Sequence, residues 1–258
     1  LRVTYSDSKS TDYYTYLHDG KAVMQIGTDG FYSHINDDLY EKLIKLVHES
    51  TSTVGDVEGP ANIIANIDRT NLDACIANAI LTTNTNQYHS CDFAAEAHTV
   101  LKTIESGSKT TVYAMALYLE FGYTGSGFSE TGGSHMPVAI TFEKNAIGEY
   151  ELKEYWIPQD GSYYGPSIKG KFPSDIYEDA IDTQKYIIAH IQVCYAQAIE
   201  YGNVPVTEHL NKLVETICSS PADASNPKAY IDAHLIEYRE MIYYGNYTLR
   251  YCFSLFEK

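Results

Sequence analysis

"KTTVYAMALYLEFGY", residues 109–123, decides the fold. In an extended chain Val112, Ala114, Ala116 and Tyr118 fall on one side, and Tyr113, Met115, Leu117, Leu119 and Phe121 on the other. A strand with one wet face alternates apolar with polar residues; this one is apolar on both. It is therefore expected at the centre of a sheet, covered on both sides.

The flanks supply its neighbours. Residues 93–104 form a second strand pattern, joined to the first by the polar turn "ESGSK". Upstream, a helix starts near Thr70: Leu72, Cys75, Ile76, Ala79 and Ile80 recur at helical spacing before "TTNTNQYHS" ends it. Downstream, "GYTGSGFSETGGSHMP", 122–137, reads as a glycine-rich loop joining two strands. Then "MPVAITFEKNAIGEYELKEYWIP" gives two more strands about a turn at Asn145–Gly148. Val138, Ile140 and Phe142 alternate in the first, and Tyr150, Leu152, Glu154 and Trp156 in the second. One helix followed by about four antiparallel strands suits an α+β fold in which a curved sheet wraps a helix, as in cystatin or nuclear-transport-factor-like domains.

Outside this core the chain changes character. "YYTYLHDGKAVMQIGTDGFYSHI", 13–35, carries Asp-Gly twice between strand formers, a hairpin pattern. Asp38 and Glu41 can cap a helix with the stripe Leu39, Leu43, Leu46 and Val47, and 49–60 is a polar linker. After Pro173 the pattern is helical. A helix from about Asp175 to Tyr201 stops at Gly202, another covers about 206–219, and Asn226–Pro227 reads as N-cap and first helical residue. "NYTLRYCFSLF" is a last amphipathic helix. The expected division is 1–58, an N-terminal hairpin and helix; 59–170, the α+β core; and 171–258, a helical C-terminal subdomain.

Composition narrows the function. A net charge of −16 opposes nucleic acid and anionic membrane surfaces as partners. No apolar run reaches the length of a membrane span. The chain begins at Leu1, so it is expected to be part of a longer precursor or protein whose membrane attachment lies elsewhere. Its five cysteines include no C-x-x-C pair, which argues against a zinc knuckle; Cys75, Cys194 and Cys218 sit on apolar helix positions as small buried hydrophobes.

The motif search excludes most catalytic chemistry. Thr124 stands where G-x-S-x-G needs glycine, and Glu130 where a dinucleotide fingerprint needs its third. "GPSIKGKF", 165–172, approaches a phosphate loop, but Phe172 replaces the magnesium-binding hydroxyl. Ser6–Lys9 and Ser106–Lys109 match S-x-x-K only inside polar turns. No H-E-x-x-H occurs. His89, Cys91 and His98 can approach one another, without an evident fourth metal ligand.

Three stretches carry a family resemblance: "YLHDGKAVMQIGTDGFYSHINDDLYEKL", "GFSETGGSHMPVAITFEKNAIGEYELKEYWIPQDGSYYGPSIKGKFPSDIYEDAIDTQKYI" and "SSPADASNPKAYIDAHLIEYREMIYYGNYTLRYCF". Together they resemble the extracytoplasmic C-terminal region of clostridial antirepressor regulatory proteins of the beta-lactam-sensor metallopeptidase class, and related stand-alone lipoproteins. The resemblance implies an extracytoplasmic location and a sensory or interaction role. The zinc motif of that class has no counterpart in this sequence, so no catalytic residue is carried over.

The resulting expectation is a non-enzymatic extracytoplasmic module that binds a small molecule or a protein, with no cofactor and no metal. The candidate face uses Glu130, Ser134, His135, Trp156, Tyr163 and Tyr164, chosen by loop position and residue type. The alternatives are a hydrolase of cell-envelope material using carboxylates that the sequence leaves unpaired, and a structural spacer.

Overall fold

A computed structural model of the chain describes the backbone of four N-terminal strands and residues 67–85, 91–125, 127–221 and 225–256. The chain divides into two compact units, Leu1–Val57 and Glu58–Lys258. In the first, β1 (Arg2–Thr4), β2 (Ser10–His18), β3 (Lys21–Ile26) and β4 (Phe31–His34) form an antiparallel sheet in sequence order. His18 pairs with Lys21 across one expected Asp-Gly turn, and Ile26 with Phe31 across the other. The helix expected around Leu39–Val47 and the linker 49–60 lie outside the described residues.

The second unit is α+β. It opens with α1 (Leu72–Thr85). The Asn71 side-chain oxygen accepts the Ala74 amide, an N-cap. At the other end Thr82, Asn84 and Thr85 turn their side chains back onto the carbonyls of Asn78, Ile80 and Leu81. Four antiparallel strands follow: β5 (Phe93–Ser106), β6 (Lys109–Thr124), β7 (Gly127–Lys144) and β8 (Tyr150–Trp156), in that spatial order. The sheet is open at β5 and β8. Each strand pair carries a bulge, between Val100 and Lys102, Glu120 and Phe121, and Thr141 and Phe142. Extra residues of this kind bend a strand and increase its twist.

The glycine-rich stretch corrects the loop reading. Strand β6 continues to Thr124 and β7 starts at Gly127, so 127–137 is strand, paired to β6 from Thr124↔Gly127 onward. Gly133 shows why glycine belongs there: a Cβ would lie 2.5 Å from the Tyr118 carbonyl oxygen and 2.6 Å from Leu119 Cδ2. Overlap of that size forces the strands apart.

Strand β6 is central and buried on both faces, as its pattern requires. One face packs Val112, Ala114, Ala116 and Tyr118, with Val138, Ile140 and Phe142, against Cys75, Ile76, Ala79 and Ile80 of α1. The other packs Phe93, Leu117, Leu119 and Phe121 against the C-terminal helices. Those that cover it are α4 (Gln184–Gly202), α5 (Val206–Cys218), α6 (Pro227–Ala233), α7 (Leu235–Tyr243) and α8 (Asn246–Phe256), while α2 (Tyr164–Lys171) and α3 (Tyr177–Ile181) pack with Tyr113, Ala139 and Trp156 in a separate cluster. Tyr118, Phe121 and Phe142 are almost wholly buried, and each large apolar side chain so placed stabilises by about 1.5–3 kcal/mol.

Two helical expectations change. The single helix over 175–201 is interrupted between Ile181 and Gln184. Its stop is Asn203, left-handed at φ 46°, with Gly202 as the last helical residue. The Asn203 and Val204 amides both reach back to Ile199 or Glu200 carbonyls, closing the helix end. Asn226 caps α6 as its sequence predicts, accepting the Lys228 amide ahead of Pro227. Cys75 and Cys194 are buried, but Cys218 is exposed, because the inward stripe of α5 is Leu210, Leu213 and Ile217.

Candidate functional site

Helix α4 lies across β5 and β6, with Ile191, Cys194, Ala198 and Ile199 in the shared core. Beside it, the glycine-bearing part of β7 leaves a cleft of about 360 Å³. Ile187 and Ile191 of α4 line one side, and the sheet lines the other with Leu117 and Leu119 of β6 and Glu130, Gly132, Gly133, Ser134 and His135 of β7. Gly133, paired with Leu119, presents no side chain here.

Two polar connections tie the walls together. Tyr195 donates its phenol hydrogen to Glu130 Oε1 at 2.8 Å. Burial and the neighbouring Glu130 carboxylate both push the Tyr195 phenol far above its ordinary pKa, so it stays a donor. The second connection is a chain of three: Thr99 Oγ1 lies 2.8 Å from His190 Nε2, and His190 Nδ1 lies 3.2 Å from His135 Nε2. Burial lowers both histidines to about 4. At neutral pH each ring is thus uncharged and holds one proton. Two complementary arrangements satisfy the chain: the Thr99 hydroxyl donates toward His190 and His190 toward His135, or both bonds run in reverse.

The cleft is therefore an apolar trough lined, among the described residues, by one carboxylate side chain, Glu130, and by a neutral imidazole at His135. His190, only 4% exposed, is the hidden member. Sequence reasoning missed Thr99, His190 and Tyr195 as site residues. A detectable signal existed: His190 interrupts the inward stripe Ile187, Ile191, Cys194 of α4, where a polar residue needs a partner.

The six residues chosen from sequence separate into two groups. Glu130, Ser134 and His135 meet in the cleft. Trp156 and Tyr164 instead pack about Phe172 in a third apolar cluster with Ala139 and Ile168. Tyr163 is 66% exposed. Trp156 pairs with Ala139 rather than with the glycine-bearing segment, which places it farther along the sheet.

The metal-like grouping is differently arranged. The two nitrogens of His98 are held by separate carboxylates, Glu96 at 2.9 Å and Asp73 at 3.2 Å, on opposite edges of the ring. Burial alone would lower its pKa; the contacts to Glu96 and Asp73 outweigh burial and raise it. His89 lies outside the described residues. Among the described residues no three His, Cys, Asp or Glu side chains are placed to hold a metal ion, and no helix is long and apolar enough to cross a membrane. No protein-family model, curated protein or solved structure matches the chain.

Proposed function

We propose that this chain is a non-enzymatic, extracytoplasmic sensory or interaction module of a regulatory membrane protein or lipoprotein, and that it binds its ligand in the cleft between β7 and α4. The carrying observation is the convergence of Glu130, Ser134 and His135 on one apolar trough. Concave apolar sites with a few fixed polar groups are the usual form of a binding site. The extracytoplasmic assignment rests on the antirepressor resemblance alone. The finer fold reading, a cystatin or nuclear-transport-factor-like sheet, rests on the order of α1 and its four strands.

The cleft favours binding over hydrolysis. Acid–base cleavage of glycosides uses two facing carboxyl groups, and Glu130 is the one carboxylate lining this cleft among the described residues. Likewise a pure spacer needs no apolar trough with polar groups converging on it.

Ligand-dependent thermal stability tests the reading. A panel of β-lactams, muropeptides, sugars, divalent metals and short peptides is screened against the protein and its His135→Ala variant. A ligand at a hundred times its Kd stabilises by about 2.7 kcal/mol, which raises the midpoint of a chain this long by several degrees. The expected result is a shift with the native chain that shrinks in His135→Ala. A panel without any shift, or shifts identical in the variant, rejects the cleft as the binding site.

A further inference from the structure

Strand β7 is two different strands along its length. Its partner β6 accompanies it throughout, from Thr124↔Gly127 to Lys109↔Glu143. Strand β8 pairs only with Ala139–Lys144. Among the described residues, β7 is therefore a sheet edge from Gly127 to Val138. In an edge strand every second residue turns its N–H and C=O away from the sheet. Among the described residues, no hydrogen bond from outside β6 reaches the backbone of this stretch.

Proteins usually guard such edges with lysine, proline, short length or bulges. Here the stretch from Gly127 to Met136 contains no lysine, arginine or proline. A bulge does interrupt it: Glu130 pairs with Phe121 and Gly132 with Glu120, so Thr131 is the extra residue. Beyond the bulge, Gly132 to Met136 is regular, carries two glycines, and borders the cleft. Guarding is thus weakest where the apolar trough opens.

Charge selects among occupants. Glu130 is the one carboxylate lining the cleft among the described residues, and the whole chain carries −16. Two copies meeting edge to edge would bring that charge together twice, which opposes self-pairing. A cationic partner gains from the same field. In an added strand, residues i and i+2 share a face. Glu130 lies on the α4 face, bonded to Tyr195, as do Leu117 and Leu119. We infer that the Gly132–Met136 edge of β7 captures an extended, cationic peptide segment by strand addition, with an apolar side chain in the trough and, two residues away, a lysine or arginine on Glu130. This deepens the binding reading above and rests on it. Main-chain hydrogen bonds supply affinity in this mode, and the alternate side chains supply specificity.

The test uses a blocked octapeptide in which threonines alternate with valine and lysine in turn. Two analogues accompany it: one with glutamate for lysine, and one N-methylated at alternate amides. Binding is read by titration, and the edge by amide hydrogen exchange across 127–138 in the whole protein. The lysine peptide is expected to bind and slow exchange between Gly132 and Met136. Both analogues, and the Glu130→Gln variant, are expected to bind about tenfold more weakly or worse, since each loses a charge contact or edge hydrogen bonds. Equal binding of the N-methylated analogue, or no protection at the edge, overturns strand addition. If the lysine peptide fails while a small molecule still gives a His135-dependent thermal shift, the edge inference falls and the cleft reading stands. If neither binds, both fall.

Discussion

At the scale of single residues, the three best-placed histidines have opposite fates although all are shielded. His135 and His190 contact each other and Thr99, none of them anionic, so burial goes unopposed and lowers both to about 4. His98 is shielded too, but two carboxylates hold it, and its pKa rises. The consequences for stability have opposite signs. Between pH 6.5 and about 4 the unfolded chain binds protons that folded His135 and His190 exclude, so they make stability fall as pH drops through that window. The His98 contribution is complete below 6.5 and is lost as pH rises through its raised folded pKa. Carbon-bound imidazole proton resonances followed from pH 8 to 4 are expected to show His98 titrating first and the other two near the acid end. Three histidines titrating together near 6.5 would mean that the Thr99–His190–His135 chain is open to water. Burial and partners of this kind arise from tertiary contacts between residues far apart in sequence. For that reason His135 was legible as a polar residue in a glycine-rich segment, whereas the break that His190 makes in the stripe of α4 could show that it needs a partner but not that the partner is His135.

Secondary-structure elements were more legible than their meaning. The period-2 pattern of residues 109–123 identified the central strand and both of its faces, because side-chain alternation is local and burial enforces it. The neighbouring stretch 122–137 was misread because glycine content signals a loop by propensity. In β7, Gly133 serves close packing against the Tyr118 carbonyl, and tertiary context overrides propensity in strands. Helix α4 gives the same lesson at its end. Gly202 looked like the stop, but its missing Cβ makes room for the Tyr123 ring, which would come within 2.2 Å of one. The left-handed position falls to Asn203. Asn203→Ala is therefore expected to destabilise the protein by about 1 kcal/mol, because alanine keeps a Cβ in the left-handed region and loses the short polar side chain that lets asparagine adopt it, while Asn203→Gly is expected to be neutral or stabilising. Urea midpoints decide it. Equal loss in both variants would show that the asparagine side chain, not its backbone conformation, holds the helix end.

For the whole molecule, the question is whether the C-terminal helices are an appendage or half of the core. The pattern of β6 already contained the answer in part: a strand apolar on both faces needs two covers, and α1 supplies one. The other face buries Phe93, Leu117, Leu119 and Phe121 beneath α4, α5, α7 and α8. Sequence periodicity could show that a second cover exists but not which distant segment provides it, since contacts across a hundred residues leave no local trace. The energetics follow directly. Exposing four large apolar side chains costs about 1.5–3 kcal/mol each, together comparable to the 5–15 kcal/mol that stabilises an ordinary domain. The stretch 59–170 expressed alone is thus expected to lack a cooperative thermal transition and to bind hydrophobic dyes. The stretch 58–258, which contains both covers, is expected to melt in one step. A sharp transition for 59–170 would show that the sheet and α1 are self-sufficient. The cleft beside α4 would then be an interface between separable parts, and its Thr99–His190–His135 chain a fastening that can open. A single transition for 58–258 and none for 59–170 makes the cleft part of one rigid core, which is the condition that a preformed binding edge on β7 requires.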